Sequence, residues 1–451
     1  MSWRPTSPPG RAPGLLAVLA AGAALAAVPA TAGASQAAGG DPGTREVIFA
    51  GNNWEGTASV LDPNRRYRNV ATINIIPDHD ERVLEIMLNP VDFAFFLAIR
   101  QFVGEGNDQF VDDMYTTPDG SKLIVSRPSF KDVVGVDLTD CENVEPVPDG
   151  GPGEQADVAC SIAWSTEVDG QRSDHMAVSP DGSQVAVSAS TGNVVHILNT
   201  ETGAEEDRFP SGDSPHENVY SEDGETLYHA SIGRVYTPNQ EGNPALDSTK
   251  GERVFYTVDT DDYTIEEDID LRTELDEAGH PELSEAVRPM THSPNEKRAY
   301  VQVSFFHGFL IYHYKKGAIT RKVDLPNLVP ELPEEEYLLN SAHHGIAMHG
   351  RGKRLCIAGT MSDYAAFVRI RPRFSDNERR FPFKLRPRGE KPYWATASED
   401  GRRCYVSWSG TDKVSIFNFK GRQITRVKVG DHPQRVRTGY VRQGWLDEHA
   451  R

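Results

Sequence analysis

The sequence predicts an all-β chain: a seven-bladed β-propeller closed by strands from both termini, with a short helical insertion after blade one. Three observations carry this. Seven short segments run from a polar, often histidine-containing turn into a β-strand, and in several an acidic-Gly turn follows. The clearest are Asp174–Gly182, Pro215–Gly224 and Pro392–Gly401. Between these segments, apolar residues alternate at the period of antiparallel strands. The first blade lacks an inner strand at its own start, and Asp431–Val441 supplies one from the far end. A ring closed by strands from both termini manages the edge-strand problem.

Residues 1–34 read as a secretion signal. Arg4 and Arg11 give the positive start, Leu15–Val28 the short apolar run, and Ala30-Thr31-Ala32 or Ala32-Gly33-Ala34 the cleavage site. That run is too short to span a bilayer comfortably, and no later segment is a span candidate. Residues 35–44 form a flexible leader, 45–441 the propeller and 442–451 a C-terminal tail. Glu46–Leu61 is two strands around an Asn/Gly turn, and Val70–Ile75 is a third. Asp78–Arg100 breaks the pattern. Arg82–Leu88 and Phe93–Ile99 carry apolar residues at helical spacing on either side of Asn89-Pro90. Blade two starts at Asp112 and blade three at Asp174. Blade four starts at His216, blade five near Arg288, blade six near His344 and blade seven near Tyr393. The segments 78–107, 141–160 and 237–253 are insertions and candidate partner or lid elements. Arg369–Arg388 is a basic outer strand and loop.

With 66 acidic against 47 basic side chains, the chain carries a net charge of -19. Nucleic acid is excluded as a partner, because its phosphates need a basic face. Docking on an anionic membrane is disfavoured for the same reason. The expected protein is secreted and monomeric. Its partner is a small polar ligand or glycan, or another protein. Four cysteines suit an oxidising compartment. Cys141 and Cys160 flank the loop Glu142–Asp157 and are a candidate disulfide. Cys356 and Cys404 lie in the second strands of neighbouring repeats and read as buried free thiols.

Blade three runs Ser179-Pro-Asp-Gly182, then Val185–Ser188, then Val194-Val-His-Ile-Leu-Asn-Thr-Glu-Thr-Gly203. It resembles the YVTN-type bacterial seven-bladed propellers, and the resemblance covers most of residues 46–441. It implies the fold. That family includes binding proteins, enzymes and proteins of unknown role, so no single function follows. Similarity to propeller polysaccharide lyases is one of architecture and funnel chemistry alone.

A propeller gathers the residues at its inner-strand starts around one mouth of the axial channel. Registered on the acidic-Gly turns, these are Asp112, Asp174, His216, Arg288, His344, Tyr393 and, more loosely, His432. Asp113, His175 and Glu217 follow directly, and Arg172, Asn218, His343 and Arg435 are close by in sequence. Converging titratable groups make this mouth the candidate ligand site. The same side chains also serve to fix turns against adjacent blades. His196, His229, His307 and His313 read as packing residues within strands. No cofactor is expected. The one metal set weighed is His216, His344 and His432, since imidazole suits zinc or copper.

Two functions remain open. The first is a secreted propeller that binds a polar or sugar-like ligand, or scaffolds a partner, at the funnel mouth. The second is a lyase cleaving uronate glycans by β-elimination. There His216 or His344 would be the base and Tyr393 the acid, with Arg288 or Arg172 clamping the carboxylate. Lactone hydrolysis would need a metal or a carboxylate–His pair, such as Glu217 with His216. Serine hydrolysis is disfavoured, because no Gly-x-Ser-x-Gly elbow is present.

Overall fold

The computed structural model describes residues 40–234, 244–337, 339, 341–370 and 383–451. The secretion signal, half of the leader, part of the 237–253 insertion and most of the basic segment Arg369–Arg388 lie outside the described residues. The chain is an all-β propeller. Five four-stranded antiparallel sheets follow one another, with first strands at Ser173–Val178, Pro215–Tyr220, Val287–His292, Ile346–Met348 and Pro392–Ala397. The sixth sheet has eight strands. One half is Pro433–Arg442, Thr44–Asn52, Thr57–Asp62 and Arg68–Asn74. The other is Met114–Thr116, Lys122–Arg127, Asp132–Asn143 and Val158–Glu167. Each half is antiparallel. They join by a short parallel pairing, Ile73 with Val158 and Asn74 with Ala159.

The first strands of successive sheets pack side by side around the axis, and Pro433–Arg442 lies between Pro392–Ala397 and Met114–Thr116. Closure from both ends is therefore present. Thr44–Asn52 pairs antiparallel with Pro433–Arg442, from Thr44 opposite Arg442 to Asn52 opposite Pro433.

The acidic-Gly turns have a local cause. Ser179 Oγ donates to Asp181 Oδ1 at 2.6 Å, and the same carboxylate accepts from the Ser183 amide at 3.0 Å. Ser221 with Asp223 and Ser398 with Asp400 repeat the arrangement. The Gly that follows adopts positive φ, +62° at Gly401, where a Cβ would also meet the Gly350 backbone at 2.5 Å.

The helical insertion is two helices, His79–Leu88 and Pro90–Ala98, then a wider turn at Ile99–Val103. Asn89 caps the second helix, its Oδ1 accepting from the Val91 and Asp92 amides, with Pro90 at the first helical position. Ile86 and Phe96 bury against the eight-stranded sheet. The outer face is different. Leu84, Met87, Leu88, Val91, Phe93, Phe95, Leu97 and Phe102 are each 37–76% exposed. A contiguous apolar face of this kind is what protein contact surfaces present.

One sequence reading needs correction. Cys356 and Cys404 are not free thiols: they form a disulfide between the second strands of adjacent sheets. Each side chain points into the wedge between those sheets, among Ala347, Phe367, Ala395 and Trp408, so burial and pairing coexist. The C-terminal segment 442–451 carries regular structure. Gln443–His449 is a helix whose Trp445 and Leu446 bury against the eight-stranded sheet. Cys141 and Cys160 are also bonded, from directly paired positions of two strands.

Several histidines are buried neutral. His229 sits between Ser211 Oγ and Asn218 Oδ1, and His292 bonds the Tyr314 hydroxyl and stacks on Tyr228. Burial pushes each imidazole down to about 3. The unfolded chain therefore takes up protons that the folded chain refuses. Their contribution is complete above the ordinary imidazole range near 6.5 and is lost as pH falls from there toward 3. Each adds a slope of about 1.4 kcal/mol per pH unit at most. Denaturant unfolding across this window should show stability falling with acid, less steeply in His292→Phe. An unchanged slope in that variant would contradict the assignment.

Candidate functional site

The axial site is built where the inner strands begin. Three of them start with proline, at Pro215, Pro392 and Pro433, and the pairing registers shift at these points. The irregularity turns successive side chains toward the axis. Aligned on the prolines, His216, Tyr393 and Gln434 occupy one position, and Glu217, Trp394 and Arg435 the next.

His175, His216 and His344 meet at the centre. One nitrogen of each lies within 4.8 Å of the other two. His216 Nε2 and His344 Nε2 are 3.3 Å apart. The His175 ring lies 3.7 Å from that of His216 and 5.4 Å, edge-on, from that of His344. His175 Nδ1 is hydrogen-bonded to Glu217 Oε2 at 2.8 Å. Tyr393 packs on His344 with ring centroids 4.5 Å apart. All five residues are buried.

A carboxylate–guanidinium network surrounds the imidazoles. Arg437 donates to Asp113 from Nε at 2.8 Å and Nη2 at 2.7 Å, and Asp113 also accepts from the Met114 and Met176 amides. Arg172 pairs with Asp174 and with Ser190 Oγ. Arg288 donates to Ser304 Oγ and to the Leu339 carbonyl. Arg435 is held differently. Its guanidinium lies 3.8 Å over the Trp394 ring and 3.7 Å from both Asp112 and Asp113, beyond hydrogen-bond reach. It is fully buried, and none of its three nitrogens has a hydrogen-bond partner among the described residues.

Burial sets the protonation here. It holds His175, His216 and His344 well below the ordinary imidazole range, with Arg435 among the charges pushing the same way. Burial raises Glu217 to about 7 against the pull of Arg435 and Arg437, and raises Asp112 as well. Tyr393 is likewise pushed up by burial. Beside this cluster is a cavity of about 60 Å³, lined by Tyr115, Glu217, Met290, Ile346, Trp394 and Arg437, among others.

Most of the residues singled out from the sequence converge: Asp112, Asp113, Arg172, Asp174, His175, His216, Glu217, Arg288, His344, Tyr393 and Arg435. His432 and His343 do not join them, and Asn218 lies at the neighbouring cavity. His432 stacks on Trp54 at 3.7 Å, away from the imidazole cluster, because its repeat has no acidic-Gly turn to register and the proline frame places it two residues early. His343 turns away from the axis to bond Tyr364 and face His307. Asn218 bridges Ser188 and His229 between strands and lines the cavity beside the cluster. The sequence reading passed over Trp394, Arg437, Gln434 and Tyr115. The proline frame would have placed Trp394 and Gln434.

No family model matches the chain, and no curated protein does. Solved structures are similar in fold. Hydrazine synthase of Kuenenia stuttgartiensis aligns with a TM-score of 0.55 at 16% identity, covering 86% of this chain and 96% of that one. A protein described as a candidate 6-phosphogluconolactonase from Bacteroides uniformis aligns at 0.53 and 11% identity, covering 87% and 99%. At these identities the likeness is one of fold, and it carries no activity across.

Proposed function

We propose that this is an exported seven-bladed propeller that binds a small oxyanion, carboxylate or phosphate, at its axis. Arg435 carries the reading. A buried guanidinium with no hydrogen bond is costly, and a planar oxyanion is the group that its fork of donors matches. Trp394 covers one face of that fork, which leaves in-plane approach. Asp112, with its carboxyl raised by burial, is placed to offer a proton to an incoming anion rather than repel it.

The blade count rests on dividing the eight-stranded sheet at its parallel pairing, where two complete antiparallel meanders touch. Export rests on the signal-like start and is supported by two disulfides, which persist in oxidising compartments. Glycan cleavage has less support. Its proposed base, acid and clamp, His216, His344, Tyr393 and Arg288, are no more than 6% exposed, and a polymer needs an open groove.

The test is calorimetric titration of the purified chain with phosphate and with small carboxylates, including glucuronate. Arg435→Gln should weaken binding about ten- to hundredfold, the worth of charge-assisted hydrogen bonds. Equal affinity in the variant, or no binding of any oxyanion by the wild type, would remove the reading.

A further inference from the structure

We infer that His175, His216 and His344 form a three-imidazole site for a divalent first-row transition ion such as zinc. The inference goes beyond the oxyanion reading and does not depend on it. Its basis is geometric. With Zn–N bonds of 2.0–2.1 Å, two tetrahedral nitrogen ligands sit about 3.4 Å apart. His216 Nε2 and His344 Nε2 are 3.3 Å apart, and one ring nitrogen from each of the three histidines lies within 4.8 Å of the other two.

His175 supplies the supporting arrangement. Its Nδ1 is bonded to Glu217, which leaves Nε2 as the nitrogen free to ligate. A metal-bound histidine whose other nitrogen donates to a carboxylate is the usual way such a ring is oriented. The three rings come from three different sheets, at Ser173–Val178, Pro215–Tyr220 and just ahead of Ile346–Met348, so their convergence is a property of the closed ring.

A second grouping, Asp112, Asp174 and His175, is also close enough to ligate. It is the weaker set. Arg172 already bonds Asp174, and Arg435 faces Asp112, so cations of the protein compete for those oxygens. Three imidazoles leave a tetrahedral ion one open position.

The experiment uses untagged full chain, stripped with a chelator and titrated with Co²⁺ while its visible absorption is followed. The expected result is a tetrahedral cobalt spectrum saturating at about one ion per chain. It should be lost in His175→Asn and in His344→Gln and kept in His280→Gln, whose ring lies outside the cluster. Near-ultraviolet circular dichroism checks that each variant is folded. No tetrahedral spectrum in the wild type overturns the inference, whatever the variants do. So does an undiminished spectrum in the folded His175 and His344 variants. Phosphate titration of the stripped wild type examines the oxyanion site separately, so either site can fail alone.

Discussion

Asp113→Ala should lower the free energy of unfolding by about 3–5 kcal/mol, the cost of leaving a buried charge without its partner. Asp113 is fully buried and takes two hydrogen bonds from Arg437, with Arg435 3.7 Å away. Its loss strands two guanidiniums around the axis and unties the Met114 and Met176 amides on neighbouring inner strands. Asp113→Asn keeps the volume but turns an amide donor toward one of the same guanidinium nitrogens, so it should cost nearly as much. Asp113→Leu combined with Arg437→Met should recover a large part of the loss, since a well-packed apolar pair often replaces a buried ion pair at little cost. Denaturant unfolding of the four proteins closes this comparison. A loss below 1 kcal/mol for the alanine variant would mean that the network is solvated and contributes little.

The second large effect is at Cys356 and Cys404. Their disulfide closes a loop of 48 residues and ties two neighbouring sheets. Chain entropy alone assigns such a loop about 4 kcal/mol. Cys356→Ala with Cys404→Ala should therefore drop stability by about that amount and leave reductant only the Cys141–Cys160 bond to act on. In the wild type, reductant should lower the unfolding midpoint. If the double variant matched the oxidised wild type, the constraint would be acting equally in folded and unfolded chains. Cys141 and Cys160 close a shorter loop of 19 residues, for which the same argument gives about 3 kcal/mol.

The fold was legible because its signals are local. Ser179-Pro-Asp-Gly182 and its relatives need one side chain, one carboxylate and one Gly in fixed order, and the structure uses them in that order. Asn89-Pro90 marked the break between two helices for a similarly local reason. The site was legible only in part. Naming His216, Glu217 and His344 needed the repeat register alone. Replacing His432 with His175 in the imidazole cluster needed the closing strand placed to the residue, and that strand carries no acidic-Gly turn. Trp394 follows from the proline frame at Pro392, but that an arginine from the closing strand stacks on its indole depends on the placement of that strand. The Cys356–Cys404 bond was hidden because the two thiols sit in separate repeats, and only the angle between adjacent sheets brings them into reach.

The seam between Thr44–Asn52 and Pro433–Arg442 also fixes a timetable. Arg45 bonds Gln443, 398 residues later. At a ribosomal pace of 5–20 residues per second, the first strand waits about 20–80 s for its neighbour. Until then Thr44–Asn52 is a bare template for any other unpaired strand, including that of a second nascent chain. The pairing that covers Thr44–Asn52 in the finished ring thus makes the last strand to be synthesised the gatekeeper against cross-pairing, and a chain stalled before Pro433 stays adhesive at Thr44–Asn52.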